Sequence, residues 1–369
     1  MALKVLLVPD KFKGTLTAQA AAAAMAKGWR QARPHDALEL LPMSDGGDGF
    51  GEIMGAQLQG KEQRVVTVDA AHRRCRARWW WEAKTKTAVI ESAEIIGLAK
   101  LPPRKFHPFQ LDTFGLGEVI RAAVAKGAQH CIVGIGGSAT NDGGFGLARS
   151  LGWEFLDRNG KAITQWKQLQ GLASLRPPKR RRWFESLLVA VDVQNPLLGR
   201  HGATRVYGPQ KGLRKKDFAL AERCLRRLAA VVKRDSGYDY APEPGSGAAG
   251  GLGFGLSCFL GARLESGFDL FARHSRLAKH LQEADLVITG EGAIDEQTFM
   301  GKGVGQIGQR CHENKIPCLA LAGTVSARGK NKGWFTRMHG LNELTTIEEA
   351  KARPAYWLRR LAKAAAGEQ

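Results

Sequence analysis

Three aspartates, Asp10, Asp45 and Asp192, each follow directly on a short apolar run. Glu291 and Asp295 come just after another such run, Leu286 to Thr289. In open α/β sheets the loops beyond the carboxyl ends of the strands face the ligand. Carboxylates gathered there suit a magnesium ion shared with substrate phosphates, or a base acting on a hydroxyl. For any one acid the plainer use is a turn or a helix N-cap, and Asp142 is the obvious example. The set as a whole points to charge-handling chemistry.

Glycine is concentrated where that chemistry needs bare backbone. The chain holds 45 glycines, and four short windows (46–51, 134–146, 245–255 and 290–308) contain nearly half of them. Glycine lets N–H groups approach a ligand closely and adopts positive φ without strain. Between a strand and a helix, such a loop cradles phosphate through its amides. Gly134-Ile-Gly136-Gly-Ser-Ala139 follows an apolar run and fits the dinucleotide pattern G-x-G-x-x-A, with Glu154 or Asp157 beyond it. That pattern makes an NAD(P)-dependent oxidoreductase a rival reading. Gly55 to Lys61 fits G-x-x-x-x-G-K, but Glu62 stands where a magnesium-binding hydroxyl belongs, so the match is chance. Gly245-Ser-Gly247-Ala-Ala-Gly250 follows Pro242 and Pro244 where a strand is required. Lys11, Lys13, Lys211 and Lys302 flank these turns and can act as point charges towards a phosphoryl or carboxylate group.

The elements that must position these residues alternate between extended and helical patterns, the mark of an α/β protein. Lys4–Pro9 reads as a buried strand, and Leu38–Met43, His130–Ile135, Leu187–Val191, Leu286–Thr289 and Cys318–Leu321 read as further strands. An Ala-rich helix is predicted from Thr17 to Ala32, and a period of two from Arg64 to Ile95 predicts antiparallel strands. The first strands resemble the last more than the middle. The expected fold is therefore two α/β domains, one Rossmann-like with a mostly parallel sheet formed by both chain ends. Its residues are 1–70 with 280–369, and 71–279 form the inserted domain.

Composition removes several classes. With 369 residues, 44% of them hydrophobic, the chain has ample core material. No run reaches the length a membrane span needs, and Val5–Pro9, closed by Asp10, reads as a strand rather than a signal segment. The six scattered cysteines fit reduced thiols in a cytoplasmic protein and lack the paired spacing of a zinc site. A net charge of +20 admits a basic nucleic-acid-binding protein as a second rival. Trp79-Trp80-Trp81 among arginines adds to that reading, but on a strand alternate side chains face opposite ways, so one face belongs to a core. Pro177, Pro178 and Lys179-Arg180-Arg181-Arg182 mark an exposed basic loop.

Taken together, the motifs resemble the bacterial glycerate kinases of the glycerate 2-kinase type. The resemblance rests on Pro9-Asp-Lys-Phe-Lys-Gly-Thr15-Leu16, Leu41-Pro-Met-Ser-Asp-Gly-Gly-Asp-Gly49 and Gly134-Ile-Gly-Gly-Ser-Ala-Thr-Asn-Asp-Gly-Gly144. Asp192-Val-Gln-Asn-Pro-Leu197, Tyr207-Gly-Pro-Gln-Lys-Gly212, Gly247 to Gly253 and Asp285 to Lys302 continue it in the family's order. It implies ATP-dependent phosphorylation of D-glycerate at the 2-hydroxyl with Mg2+, in a cleft between two α/β domains. Lys11 stands where a serine is usual, Asp48 for a glutamate, Leu116 for a threonine and Val304 for a proline. These departures leave a 3-phosphoglycerate product or a related small hydroxy acid as alternatives.

On this reading Asp192 or Asp45 accepts the hydroxyl proton, with Lys13 beside them. Asp45, Glu291 and Asp295 are the candidate metal ligands. Gly136, Gly137, Ser138, Thr140, Asn141, Asp142, Asn195, Gly250 and Gly251 are the candidate binding residues, with Lys11, Lys211 and Lys302. The expected partners are ATP and glycerate, with no membrane or nucleic acid; a homodimer is left open.

Overall fold

The structure, a computed structural model, describes residues 2–301, 303–326 and 333–369. The chain divides into two units, Met1–Asp45 with Phe268–Gln369, and Gly46–Gly267. In chain order the strands are β1 (Lys4–Pro9), β2 (Ala37–Leu40), β3 (Lys61–Val68), β4 (Arg74–Glu82), β5 (Thr87–Glu91), β6 (His130–Gly134), β7 (Glu154–Leu156) and β8 (Ser174–Arg176). They continue as β9 (Ser186–Val191), β10 (Arg263–Ser266), β11 (Leu286–Gly290), β12 (Ala293–Ile294), β13 (Cys318–Ala322), β14 (Thr324–Val325) and β15 (Arg337–Gly340).

The unit built from both chain ends carries a five-stranded sheet in the order β15-β13-β11-β1-β2, parallel throughout. Its central strands are covered on both faces, which is why β11 and β13 are buried at every position and β1 at all but its first. The Ala-rich helix Ala18–Ala32 starts on Thr17, whose side chain accepts from the Ala20 amide. It packs on the helix Pro354–Gly367 so closely that a Cβ at Gly28 would lie 2.1 Å from the Arg359 carbonyl. After β1 the chain crosses to β2 on one side, whereas β11 leads to β13 and β15 on the other. The switch point lies between β1 and β11, where such sheets open a crevice for ligands.

The inserted unit carries a mixed six-stranded sheet, β10-β9-β6-β5-β4-β3. β3, β4 and β5 pair antiparallel, and β5, β6, β9 and β10 run parallel. The α/β class is as expected, but the boundary differs from residue 70. β3 hydrogen-bonds along its whole length to β4, so residues 46–70 fold with the insertion, and the return lies at Phe268 rather than 280. The antiparallel stretch also ends earlier than its period suggested. β5 takes β6 as a parallel neighbour, and Ala93–Ile96 is a helical turn.

Trp79 enters the main core of this unit, while Trp80 lies under the helix Phe50–Gln57. A Cβ at Gly51 would sit 2.1 Å from the Trp80 ring, so the glycines of that helix make room for the indole. Two of the three tryptophans are thereby committed to packing, and a stacking platform for bases is lost. Among the described residues no helix is long and apolar enough to cross a membrane.

Candidate active site

In the unit built from both chain ends, strand register places the acids. Pro9 pairs with Gly290, and the Asp10 amide donates to the Gly290 carbonyl at 2.9 Å, so Asp10 and Glu291 leave adjacent strands side by side. β2 ends at Leu40, but backbone bonds from Leu41 to Leu7 and from Met43 to Pro9 carry the chain along β1 up to Asp45. Three carboxylates thus gather at the switch point. Burial pushes the Asp10 carboxyl up to about 7, and the charges of Asp45 and Glu291 push the same way, against Lys11. The Lys11 ammonium stands 3.9 Å from Asp45, and its amide donates to Asp10 at 2.7 Å. Glu291 accepts from the Thr298 hydroxyl at 2.6 Å.

Asp295 has a different place. Its side chain accepts from the amides of Gln297 and Thr298, as a turn acid does. Among the described residues no three His, Cys, Asp or Glu side chains form a ready cage for a metal ion. The expected set of Asp45, Glu291 and Asp295 is therefore not assembled as one, because Asp295 is turned to its own loop. Asp10, a strand-end acid outside the expected metal set, sits among the carboxylates of Asp45 and Glu291. Lys13 is exposed, and Lys302 lies outside the described residues.

In the inserted unit the loop after β6 packs on residues 46–48 and on the loop after β5. The Gly136 amide donates to the Gly46 carbonyl at 3.0 Å, and a Cβ at Gly136 would lie 2.5 Å from the Gly47 Cα. Gly137, at φ +71°, stands beside the Asp48 carboxylate. Only Gly136 and Gly137 of this loop reach the surface to any extent. Thr140, Asn141 and Asp142 are fully buried. Asp142 accepts from the amides of Thr113 and Gly146 and from the Thr113 hydroxyl. Burial and the nearby Asp112 charge nevertheless raise its carboxyl to about 6.

Gly250 and Gly251 pack on this turn from behind. A Cβ at Gly250 would lie 2.0 Å from the Thr140 carbonyl, and the Gly143 amide donates to the Gly250 carbonyl at 3.1 Å. Lys211 is buried too, and its ammonium donates to the Thr140 carbonyl at 2.6 Å. Burial pulls its pKa down to about 7, against the Asp142 charge. Ser138 bonds to Thr140, and Asn195 bridges the His201 carbonyl and the Tyr207 hydroxyl. Six expected binding residues, Thr140, Asn141, Asp142, Lys211, Gly250 and Gly251, thus shape the loop from within; the surface it offers is Gly136, Gly137 and the half-buried Ala249. One buried atom stays unspent, since Asn141 Oδ1 has no hydrogen-bond partner. Asp192 is exposed at the end of β9, and its charge adds to the burial that raises Tyr207 to about 12. Glu91, missed from the sequence, is a buried strand-end acid that accepts from the amides of Gly49 and Gly51 at 3.0 Å each.

The sequence matches the model of the Glycerate kinase family over residues 5–368. The chain belongs to the glycerate kinase family. Glycerate 2-kinase from Escherichia coli (strain K12) is 37% identical over 332 residues, covering 88% of this chain and 86% of that protein. Glycerate kinase from Halalkalibacterium halodurans is 38% identical over 325 residues, covering 87% and 85%. The crystal structure of a putative glycerate kinase 2 from Salmonella typhimurium LT2 superposes with a TM-score of 0.84 at 34% identity, covering 100% of this chain and 98% of that one.

This glycerate kinase family member is therefore a kinase, and the dinucleotide pattern at Gly134 has another use. A dinucleotide fold needs a helix to begin within the motif. Here the helix Phe145–Ser150 starts well beyond Ala139, after the buried turn. Of the departures from the family pattern, Leu116 and Val304 are buried in packing. Lys11 faces Asp45, and Asp48 faces Gly137, so those two alter the site itself.

Proposed function

We propose that this kinase transfers the γ-phosphoryl group of ATP to the 2-hydroxyl of D-glycerate, with Mg2+. The reading is carried by the meeting of Asp10, Asp45 and Glu291 with Lys11 at the switch point, in a chain so similar to glycerate 2-kinase of E. coli. Phosphoryl transfer asks little covalent work of the protein; it asks for positioning and charge neutralisation.

The donor set fits magnesium, which takes carboxylate oxygens and keeps phosphates and water as its other ligands. The Asp45 and Glu291 charges disfavour a further negative charge at Asp10, and such a cluster suits a dication. Asp45 and Glu291 would hold it, and the ion would supply charge neutralisation on the phosphates. Asp10 lies close enough to feel the charge of both. Asp295 supports Glu291 through Thr298, whose hydroxyl accepts from the Asp295 amide at 3.2 Å and donates to Glu291.

The amides of Gly136 and Gly137 and the Ala249 turn would meet phosphate oxygens, held in shape by Asp142, Lys211 and Gly250 beneath. Lys11 and Lys13 offset negative charge on the nucleotide or the glycerate carboxylate. Asp192 orients the substrate hydroxyl and takes its proton, because Asp45 is engaged by Lys11. The expected cost of Asp192→Asn is about 100-fold or more in kcat, measured as glycerate-dependent ADP release. Normal turnover in a folded Asp192→Asn protein removes Asp192 from the mechanism.

A further inference from the structure

A cavity of about 950 Å3 opens in the inserted unit, lined by Trp153, Leu187, Val232 and Phe259, with Arg181 and Arg182 beside them. Its origin lies in strand register. Arg263, the first residue of β10, pairs with Leu188, so Ser186 and Leu187 of β9 have no strand neighbour on that side. The space left there is closed by the ends of the helices Lys215–Ser236 and Ala248–Leu260. The cavity sits at the amino end of β9, whereas Asp192 follows its carboxyl end. Leu188 is the lining residue of β9 nearest to Asp192, and at about 3.3 Å per residue the strand separates the two by roughly 13 Å. Neither Asp192 nor any residue of the four glycine windows lines the cavity.

The charges around it are unequally spent. Asp235 is held by Arg234 at 2.6 Å, and Arg263 by Glu265. Arg182 donates to the carbonyls of Phe184 and Glu185 at 3.2 and 3.1 Å. Arg181 is exposed and makes no hydrogen bond or ion pair with the described residues. Lys179 and Arg180 stand next to it in the chain, and Glu185 is the one lining acid whose carboxylate no cation holds among the described residues. The volume is that of a pocket for a small organic ligand, the walls are largely apolar, and the uncommitted charge is mainly positive.

We propose that this cavity is a second ligand site, for a small amphipathic anion. A phosphate monoester or carboxylate would pair with Arg181, with its apolar chain against Leu187, Val232 and Phe259. The site is independent of the kinase reading. Calorimetric titration of the full chain with octyl phosphate tests it, with octanol, octylammonium and inorganic phosphate as controls. The expected result is binding of one octyl phosphate per chain, at least tenfold tighter than any control. It is not displaced by ATP or glycerate, and it weakens about tenfold in Arg181→Ala.

Leu188→Trp, which sets a larger side chain into the wall of the cavity, should weaken binding. Should that variant not fold, Arg181→Ala, on an exposed loop, decides alone. Equal affinity in Arg181→Ala, tighter binding of octylammonium, or displacement by ATP overturns the proposal. So does failure of octyl phosphate to bind, including the case in which a second copy of the chain covers the cavity in solution.

Discussion

Replacing Gly250 with alanine tests whether the loop proposed to bind phosphate is shaped from behind. Gly250 has φ +72°, and an added methyl would lie 2.0 Å from the Thr140 carbonyl oxygen and 2.7 Å from the Asn141 Cα. Both are backbone atoms, which cannot swing aside as a side chain would. The left-handed conformation costs an L-residue about 1–2 kcal/mol. Forcing backbone apart in a packed interior adds about 1–3 kcal/mol. Gly250→Ala should therefore destabilise the inserted unit by about 2–5 kcal/mol.

The neighbouring residue supplies the control. Ala249 already sits at φ +54° and carries the strain. Ala249→Gly relieves about 1–2 kcal/mol of it and returns about 0.5–1 through the freer unfolded chain. It should be neutral or slightly stabilising. Urea unfolding measures both variants, and hydrogen exchange at the Gly143 amide, which donates to the Gly250 carbonyl, reads the loop itself. Gly250→Ala should also raise the KM for ATP. Unfolding within about 0.5 kcal/mol of the parent, with Gly143 protection and the ATP KM unchanged, would refute the reasoning.

Other expectations follow from buried charge. Lys211 has its pKa lowered from 10.5 to about 7, so its charged form is disfavoured in the fold. That penalty is full below pH 7 and fades as pH rises towards 10.5. Lys211→Met should remove this gain, seen as a flatter urea midpoint over pH 7 to 10 than in the parent. Asp142 is raised from 3.8 to about 6, so its contribution to stability falls as pH rises through that window; Asp142→Asn should flatten the same midpoint between pH 4 and 6. His72 donates to Asp112 at 3.0 Å, and that bond raises its pKa. Its stabilisation is present below the unfolded value of 6.5 and lost as pH rises through the folded one, so His72→Gln should cost stability at pH 6 and little at pH 9. Glu91→Gln removes a charged acceptor shared by two amides and should cost about 1–3 kcal/mol in thermal unfolding.

Much of this architecture was legible in the residues. Apolar runs ending on acids place Asp10, Asp45 and Glu291 together once the strands are parallel, and parallel strands follow from runs apolar on both faces. What the pattern of glycines cannot say is which side of a loop faces outward. Thr140, Asn141 and Asp142 have the polar groups of a binding loop, yet all of these but Asn141 Oδ1 are spent inside, on Ser138, Thr204 and Thr113 among others. Lys211 misleads for the same reason, since a lysine beside glycines reads as a surface charge until the Thr140 carbonyl is seen above it. The boundary at residue 45 was hidden because β3, Lys-Glu-Gln-Arg-Val-Val-Thr-Val, is an edge strand too polar to declare its sheet. The cavity by the arginine run depends on the register of β9 and β10, which no local pattern encodes.

Transfer to the 2-hydroxyl of glycerate is read directly by phosphorus NMR of the protein mixed with ATP, Mg2+ and D-glycerate. 2-Phosphoglycerate should appear in step with ADP. A 3-phosphoglycerate signal alone, or ADP release that does not depend on glycerate, would contradict it.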